Sequence, residues 1–377
     1  MTPPPSVRRL LSLGALLGLA AGAAAVAAAQ STPPARPLPS DFKNWQTVPV
    51  AEGIYAFIAP DGVTPIVSGN STVIIGDSGV VVVDAGQFPS VARAQIAAIR
   101  KLTPKPVRWV VNTHWHPDHW LGNGEYAAAF PGVSFIATRT TREMALTKAL
   151  PFITPAYAQS ALDMVTKMLA DPKHPDGSPW TQGEMQYYSI ALPQFQEYLP
   201  ELKSVKPVAP NVLFTDSLTL VLGAREVRVM FLGRANTGGD AVVYVPDAKV
   251  LMTGDLVVHP YPYAIGSYIG EWIETMKRLE AIDAAVIVPG HGAVERDKSY
   301  LMMVSRLLES LQSQVSAAQK AGLTLEETRK KVDFSAMRTE FCGTDTWCTF
   351  GFDGVFVRPG VGRAYREAKE GPLKDED

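Results

Sequence analysis

The sequence predicts an α+β fold: a four-layer αββα sandwich carrying a helical insertion and a helical C-terminal extension. Three observations predict it. Short β-branched runs fall into two groups, one between Gly53 and Ala137 and one between Val212 and Val288. Each group is accompanied by segments with apolar residues at helical spacing, so sheets and helices have faces to bury against one another. In both halves, polar residues collect on loops at strand ends. No short repeat is visible, but two β-rich halves of this kind fit a pseudo-duplicated sandwich.

In the first half, Gly53–Ala59 (G-I-Y-A-F-I-A) and Thr72–Ile75 read as strands. Asp77-Ser78-Gly79 turns into the buried strand Val80–Val83, which ends at Asp84-Ala85-Gly86. Ser90–Leu102 sets Val91, Ile96 and Ile99 at helical spacing. Pro104 and Pro106 then lead to Val107–Val111, an apolar strand interrupted only by Arg108 and Trp109. Asn123–Phe130 predicts a helix, Val133–Ala137 a strand and Thr140–Leu150 a helix. Residues 151–207 have few strand signals and read as a helical insertion or lid. Its patches Ala156–Leu169 and, roughly, Glu184–Leu202 are split by the loop Asp171–Pro179, where His174 reads as a solvated surface histidine.

In the second half, Val212–Thr215, Leu218–Leu222 and Glu226–Phe231 read as strands, followed by the loop Leu232–Asp240 (L-G-R-A-N-T-G-G-D). The Pro246-Asp247 turn joins strands Ala241–Val245 and Lys249–Met252, with Thr253-Gly254-Asp255 after them. Glu271–Ile282 is an amphipathic helix through Trp272, Ile273, Met276 and Leu279. Ala284–Val288 is a strand leading into Pro289-Gly290-His291-Gly292. Asp297–Gln319 is a long helix ending at Gly322, and Thr324 with Glu327 fits a capping box opening the next. The sandwich therefore occupies residues 46–296 and the extension residues 297–377, whose charged end has only a packing role to assign.

The first 29 residues read as a targeting segment, outside the fold. Arg8 and Arg9 precede the short apolar run Leu10–Leu19, and Ala27-Ala28-Ala29 before Gln30 suits cleavage after small residues. The arginine pair fits the twin-arginine route and ordinary secretion about equally; an uncleaved anchor is the alternative. Either way the mature chain is expected to be periplasmic or secreted, with no stable membrane span after cleavage. Residues 30–45 read as a flexible lead-in. The formal net charge of −2 gives no reason to expect nucleic acid or an anionic membrane as partner; a small-molecule substrate is expected. Cys342 and Cys348, the two cysteines, either close a small disulfide loop or remain two thiols.

The chemistry is concentrated in Thr113–Asn123, T-H-W-H-P-D-H-W-L-G-N, directly after the strand Val107–Val111. Three of the chain's six histidines lie here, with Asp118 among them. Imidazole nitrogen and carboxylate oxygen are the donors that a zinc-type ion prefers. His114 and His116, two apart in extended chain, point to one side. After Pro117 turns the chain, Asp118 and His119 are free to face a second ion.

The run H-W-H-P-D-H resembles the H-x-H-x-D-H signature of the metallo-β-lactamase superfamily. Val82-Val83-Asp84-Ala85-Gly86 looks like that family's first motif, G-R-A-N-T-G-G-D like its G-x-x-H-T-x-G-D motif, T-G-D at Asp255 like its bridging-aspartate motif, and P-G-H-G at His291 like its last. Order and spacing agree from about Val48 to Val294. The resemblance implies one or two zinc ions: a first held by His114, His116 and the residue at 236, a second by Asp118, His119 and His291. Asp255 would bridge them and Asp84 would orient the histidine loop from behind. It also implies a hydrolase in which metal lowers the pKa of water to about 7 and Asp118 orients that water as the catalytic carboxylate. Small esters, lactones and amides are the expected substrates, with β-lactams the leading candidate.

At 236 the pattern is broken, because Asn236 stands where the family has histidine. A neutral amide oxygen is a poorer zinc ligand than imidazole, so the first site is expected to be the emptier. One ion at the second site, two ions with Asn236 as a weak ligand, and a catalytically weakened metal-binding or interaction protein all remain open. His259, four residues past Asp255, reads as a pocket-wall or structural residue. Trp115, Trp120, Tyr261, Tyr263 and Tyr268 either wall a pocket or pack.

Overall fold

The computed structural model describes residues 43–59, 67–174 and 177–374. The predicted targeting segment and most of the lead-in lie outside the described residues. Among the described residues, twelve strands form two sheets. The first runs β1 (Gln46–Ala51), β2 (Ile54–Ile58), β3 (Ser71–Gly76), β4 (Gly79–Val83), β5 (Val107–Val111), β6 (Ser134–Thr138) and β7 (Val212–Phe214), neighbours in that order. Pairing is antiparallel up to β4 and parallel from β4 to β7. The second sheet has the order β12-β11-β10-β9-β8, from β8 (Ser217–Leu222), β9 (Arg225–Phe231), β10 (Ala241–Val245), β11 (Val250–Val258) and β12 (Val286–His291). Only β11 and β12 are parallel there.

Alternation along the strands makes the layers. Val81 and Val83 of β4 join Val227, Val229, Val243 and Val245 in the core between the sheets. Val80 and Val82 point the other way, onto helix α1 (Pro89–Leu102) through Ile96 and Ile99. A period of two gives each sheet two apolar faces. The outer face of the second sheet is covered by Trp272, Met276 and Leu279 of a later helix and by Leu307, Leu308 and Leu311 of the long one after it. The result is the αββα sandwich.

The histidine loop contains α2 (Pro117–Trp120), followed by α3 (Asn123–Ala129) and α4 (Arg139–Met144). The predicted helix from Thr140 continues past α4 as a π turn, Ala145–Ala149, and a 3-10 turn, Leu150–Ile153. Residues 151–207 hold α5 (Pro155–Ala170) and α6 (Gln182–Tyr198). His174 is not a solvated surface residue. Its side chain is 9% exposed and lies 3.4 Å from Glu184, whose carboxylate also closes the capping box with Thr181. His174 N–H donates to Ser178 O and Trp180 N–H to Pro172 O, which bring the ring against the start of α6.

After α7 (Ile269–Glu280) and α8 (Ser299–Lys320), the elements of the described C-terminal segment are helical: α9 (Leu325–Lys331), α10 (Ser335–Cys342), α11 (Thr346–Gly351), a π turn and α12 (Arg358–Glu370). Thr324 and Glu327 form the expected capping box on α9. Cys342 and Cys348 are joined as a disulfide between α10 and α11. Phe352, Phe356 and Val361 enter the same core as α7 and α8. Tyr187 of α6 packs on Trp347 and Phe350, so the insertion and the extension meet. Among the described residues, no helix is long and apolar enough to cross a membrane.

Candidate metal centre

Two strands are longer than the sequence pattern suggests, and both bring donors to one end of the sandwich. Thr253-Gly254-Asp255 is not a loop after a strand; it lies within β11. Likewise Pro289-Gly290-His291 closes β12. Parallel pairing of Gly254 with Pro289, and of Val258 with His291, carries both strands through register shifts. Gly254 has φ 52°, and a Cβ there would lie 2.7 Å from Thr113 Cβ, so only glycine lets the two sheets approach this closely.

Hydrogen bonds seal that end. Ala241 N–H donates to Thr113 O at 2.8 Å and Asn70 N–H to Gly290 O at 2.7 Å. Asn70 Nδ2 donates further to Pro289 O and Gly292 O, both at 2.9 Å. Gly69 and Gly290 form a cradle. A Cβ at Gly69 would meet the His119 ring at 2.6 Å, and one at Gly290 would meet Asp255 Oδ1 at 2.0 Å.

Asp84 organises the histidine loop from behind. Its backbone is left-handed (φ 61°), a conformation that Asp tolerates better than most residues. Oδ1 accepts from Thr113 N–H at 2.8 Å, and Oδ2 accepts from Thr113 Oγ1 at 2.8 Å. His119 Nδ1 lies 2.8 Å from the same Oδ2. With Nδ1–H given to Asp84, His119 presents Nε2 as a lone pair. Thr113 Oγ1, its proton committed to Asp84, accepts from His114 Nδ1 at 3.0 Å, which turns His114 Nε2 toward His116 Nδ1, 2.9 Å away. Reciprocal amide bonds between Asn112 and Asn123 hold the loop, and Asn112 Nδ2 donates to His119 O at 3.1 Å.

The free atoms converge. Asp118 Oδ2 lies 3.2 Å from His119 Nε2 and 3.1 Å from His291 Nε2. Asp255 Oδ1 lies 3.4 Å from His119 Nε2 and 3.5 Å from His291 Nε2. All four atoms are buried and lack a hydrogen-bond partner. Ligands about 2.0–2.1 Å from a tetrahedral ion sit about 3.3 Å from each other, so the separations from Asp118 Oδ2 to His119 and His291 suit a cation of that size, with Asp255 Oδ1 close to both rings. On the other side, Asp255 Oδ2 is 3.5 Å from His114 Nε2, which is 2.9 Å from His116 Nδ1. Asp255 thus turns one oxygen to each group. Asp118, His119 and His291 form one cluster able to hold an ion, and His114, His119 and Asp255 another. His119 belongs to both, whereas the sequence pattern assigned it to one.

Electrostatics divides the donors. Burial would raise Asp118 and Asp255, but the histidines facing them, His119 first, hold both carboxyls low, Asp118 well below its usual range. Burial would strip His119 of its proton, yet Asp118, Asp255 and Asp84 hold its pKa well above the ordinary value. His291 is raised to about 9, Asp255 and Asp118 outweighing burial. Burial pushes Asp84 up against His119 and Thr113. It also drives His114 well below the ordinary histidine value, with His119 adding to the effect, and lowers His116. Without a bound cation, the surrounding carboxylates favour the charged forms of His119 and His291, whereas burial favours the neutral forms of His114 and His116.

A family model described as the metallo-beta-lactamase superfamily matches residues 64–291. The chain belongs to the metallo-β-lactamase superfamily. It is similar to a linear primary-alkylsulfatase from Pseudomonas sp., 26% identical over 277 residues that cover 67% of this chain and 48% of that protein. The chain thus spans about half the length of this curated relative. Among solved structures, a metallo-β-lactamase from Pontibacter korlensis aligns with a TM-score of 0.51 at 19% identity, covering 71% of this chain and 99% of that one. The sec-alkylsulfatase Pisa1 from Pseudomonas sp. aligns with a TM-score of 0.61 at 18% identity, covering 88% of this chain and 51% of that one. These structures share the fold. Members of the superfamily are metal-dependent hydrolases, and the buried donors found here are of the kind that such a fold uses.

Of the other residues singled out, Asn236 and His116 line one cleft with Trp115, Met144, Ile265 and Tyr268. Tyr263 sets its ring 5.7 Å from that of His291. Trp120 and Tyr261 are core residues. His259 pairs with Glu295 at 2.6 Å and stacks on Tyr300, a structural place behind His291. Sequence reasoning missed Gly69 and Asn70. Their only signal is a Ser-Gly-Asn step before strand Thr72–Ile75, which reads as an ordinary turn.

Proposed function

We propose that the protein is a zinc-dependent hydrolase that cleaves a small ester, lactone or amide with water, with Asp118 as its catalytic carboxylate. The observation that carries this is the set of four buried atoms, two carboxylate oxygens alternating with two imidazole nitrogens, without hydrogen bonds of their own. Buried polar atoms are otherwise paired, because leaving one unpaired costs about 1–3 kcal/mol. Asp118, His119, His291 and Asp255 would hold one ion, and His114 and His116 stand ready for a second. A divalent ion held there would polarise the substrate and make a coordinated water acidic enough to act as a nucleophile near neutral pH.

The chain's own groups account for the rest. Asp118 uses Oδ2 toward His119 and His291, and a carboxylate held well below its usual pKa stays ionised, so that it would accept a hydrogen bond from water and orient it. Asp84 and Thr113 fix the rings of His119 and His114. Trp115, Met144, Ile265 and Tyr268 offer an apolar approach beside His116. β-Lactams are supported as substrates by the Pontibacter korlensis likeness, and sulfate esters by the Pseudomonas relative. The arginine pair and apolar run near the N-terminus, with the Cys342–Cys348 disulfide, support a place outside the cytoplasm.

The test is turnover of a chromogenic β-lactam, p-nitrophenyl carboxylates and p-nitrophenyl sulfate, with and without chelator. Turnover lost on chelation and restored by zinc is expected for at least one. Metal-loaded protein silent across all three would favour the alternative, a metal-binding relative with weakened catalysis.

A further inference from the structure

Residues 261–270 lie between the metal centre and the C-terminal extension. On the inner side, the Tyr263 ring is 5.7 Å from that of His291, and the Tyr263 carbonyl accepts from Asn236 Nδ2 at 2.7 Å. Ile265, Gly266 and Tyr268 line the cleft that also contains His116. The outer side is fixed by residues far along the chain. Ala264 N–H donates to Val355 O at 2.9 Å, and Arg363 Nε donates to Ser267 O at 2.6 Å. Gly360 comes so close that a Cβ there would lie 3.3 Å from Ala264 Cβ. The Glu367 carboxylate accepts from Ile269 N–H at 2.7 Å and from Gly270 N–H at 2.8 Å.

Those two amides open α7, and Tyr268 at its N-cap makes no side-chain cap. A helix start needs acceptors for its first N–H groups, and negative charge there is favourable. Here the acceptor comes from α12, 97 and 98 residues later. The Tyr268 ring also lies 4.2 Å from the Arg234 guanidinium carbon and 5.3 Å from that of Arg363, close enough for cation–π attraction. Within this braced segment Ala264 and Ser267 are buried, but Ile265 is 45% exposed in the cleft wall, with Trp115 and Met144 lining the same cleft. We propose that Ile265 is a specificity-determining residue that covers an apolar group of the substrate beside the cleaved bond, and that Glu367 is the positioning residue that holds the Ile265 segment at the cleft. The extension thus acts on substrate fit through one wall of the cleft, not on the metal ligands.

This inference rests on the hydrolase reading, and two readouts separate them. Zinc-loaded full-length protein is assayed with p-nitrophenyl acetate and octanoate, and free acetate and octanoate are titrated onto it by calorimetry, which needs no turnover. Wild type is expected to prefer octanoate in both. Ile265→Ala should weaken octanoate binding and raise KM for its ester about tenfold, the scale of one buried aliphatic side chain. It should leave acetate and kcat within about twofold. Glu367→Ala should shift octanoate in the same direction. Glu367→Gln keeps one acceptor, should shift it less, and carries the test if the alanine variant does not fold. Combining Ile265→Ala with Glu367→Ala should add little to the larger single effect, because both act through one wall. Zinc affinity should stay at the wild-type value throughout. Octanoate selectivity unchanged in the Glu367 variants, additive effects, or zinc affinity lost with them would overturn the positioning role. Selectivity unchanged in Ile265→Ala would overturn the contact. Selective octanoate binding through Ile265 and Glu367 without ester turnover would support the cleft assignment and count against ester hydrolysis.

Discussion

The two sides of the donor cluster are built from the same elements but braced differently. On one side, Asp118, His119 and His291 sit among opposite charges. His119 is held by the Asp84 carboxylate, and His119 and His291 titrate above the ordinary histidine range. On the other, His114 and His116 are pushed below it by burial; His114 leans on a threonine hydroxyl and Asn236 on a backbone carbonyl. The charged brace stands beside His119, the histidine whose charged form the surrounding carboxylates favour. A neutral brace suffices where the donors are already neutral. The difference teaches that one family site can be kept as two unlike halves.

The largest effect should come from the charged side. Asp118→Ala is expected to lower turnover of whichever substrate responds by on the order of 10^2 to 10^4, with the circular dichroism spectrum and zinc stoichiometry measured alongside. Unchanged turnover would remove Asp118 from the mechanism and erase the distinction between the sides.

Protonation sharpens the contrast next. His119 and His291 titrate above their unfolded value of about 6.5. Their protonated forms stabilise the metal-free fold fully below that pH, and the contribution is lost as pH rises, through about 9 for His291. Asp118 and Asp255 act at the other end: their contribution is present above the unfolded carboxylate value and lost on acidification. Chelated protein should therefore lose stability to urea from pH 6.5 to 9. Zinc-loaded protein should not, because its ligands bind deprotonated. A chelated protein that grew more stable over that interval would contradict the charge assignment. Asp84→Asn comes third. Asparagine tolerates the left-handed backbone, so the change removes charge with little strain, and zinc binding on the Asp118 side should weaken about 10- to 100-fold in calorimetry. Unchanged binding would show that His119 needs no charged partner.

Much of this was legible beforehand, and the reasons are physical. Val80–Val83 and Val107–Val111 announce buried strands by composition, and the fold class follows from their alternation with amphipathic helices. His114, His116, Asp118 and His119 lie within one short loop, so local spacing sufficed to single them out. What stayed hidden depends on contacts between distant segments. The extent of β11 and β12 is set by their mutual pairing through Gly254 and Pro289, which no local pattern encodes. Asn70 acts across more than two hundred residues on the His291 turn. His174 looked exposed because its loop is polar, yet Glu184 draws it inward. The direction of the Asn236 amide needed the Tyr263 carbonyl.

The smallest effect is expected on the neutral side, at Thr113. Its hydroxyl donates to Asp84 and accepts from His114 Nδ1, while its N–H reaches Asp84 independently. Thr113→Val keeps the shape beside Gly254 and the N–H bond, removing only the hydroxyl. His114 would lose a neutral hydrogen bond, worth about 1 kcal/mol net, so zinc binding on the His114 side should fall by roughly tenfold or less. Binding on the Asp118 side should move less still, because Asp84 retains His119. Zinc titration of Thr113→Val beside Asp84→Asn measures this ranking directly. If the hydroxyl proved the costlier loss, the contrast between a charged and a neutral brace would be the wrong description of the site. The Thr113 hydroxyl, shared by both sides, would then be the element that joins them into one unit.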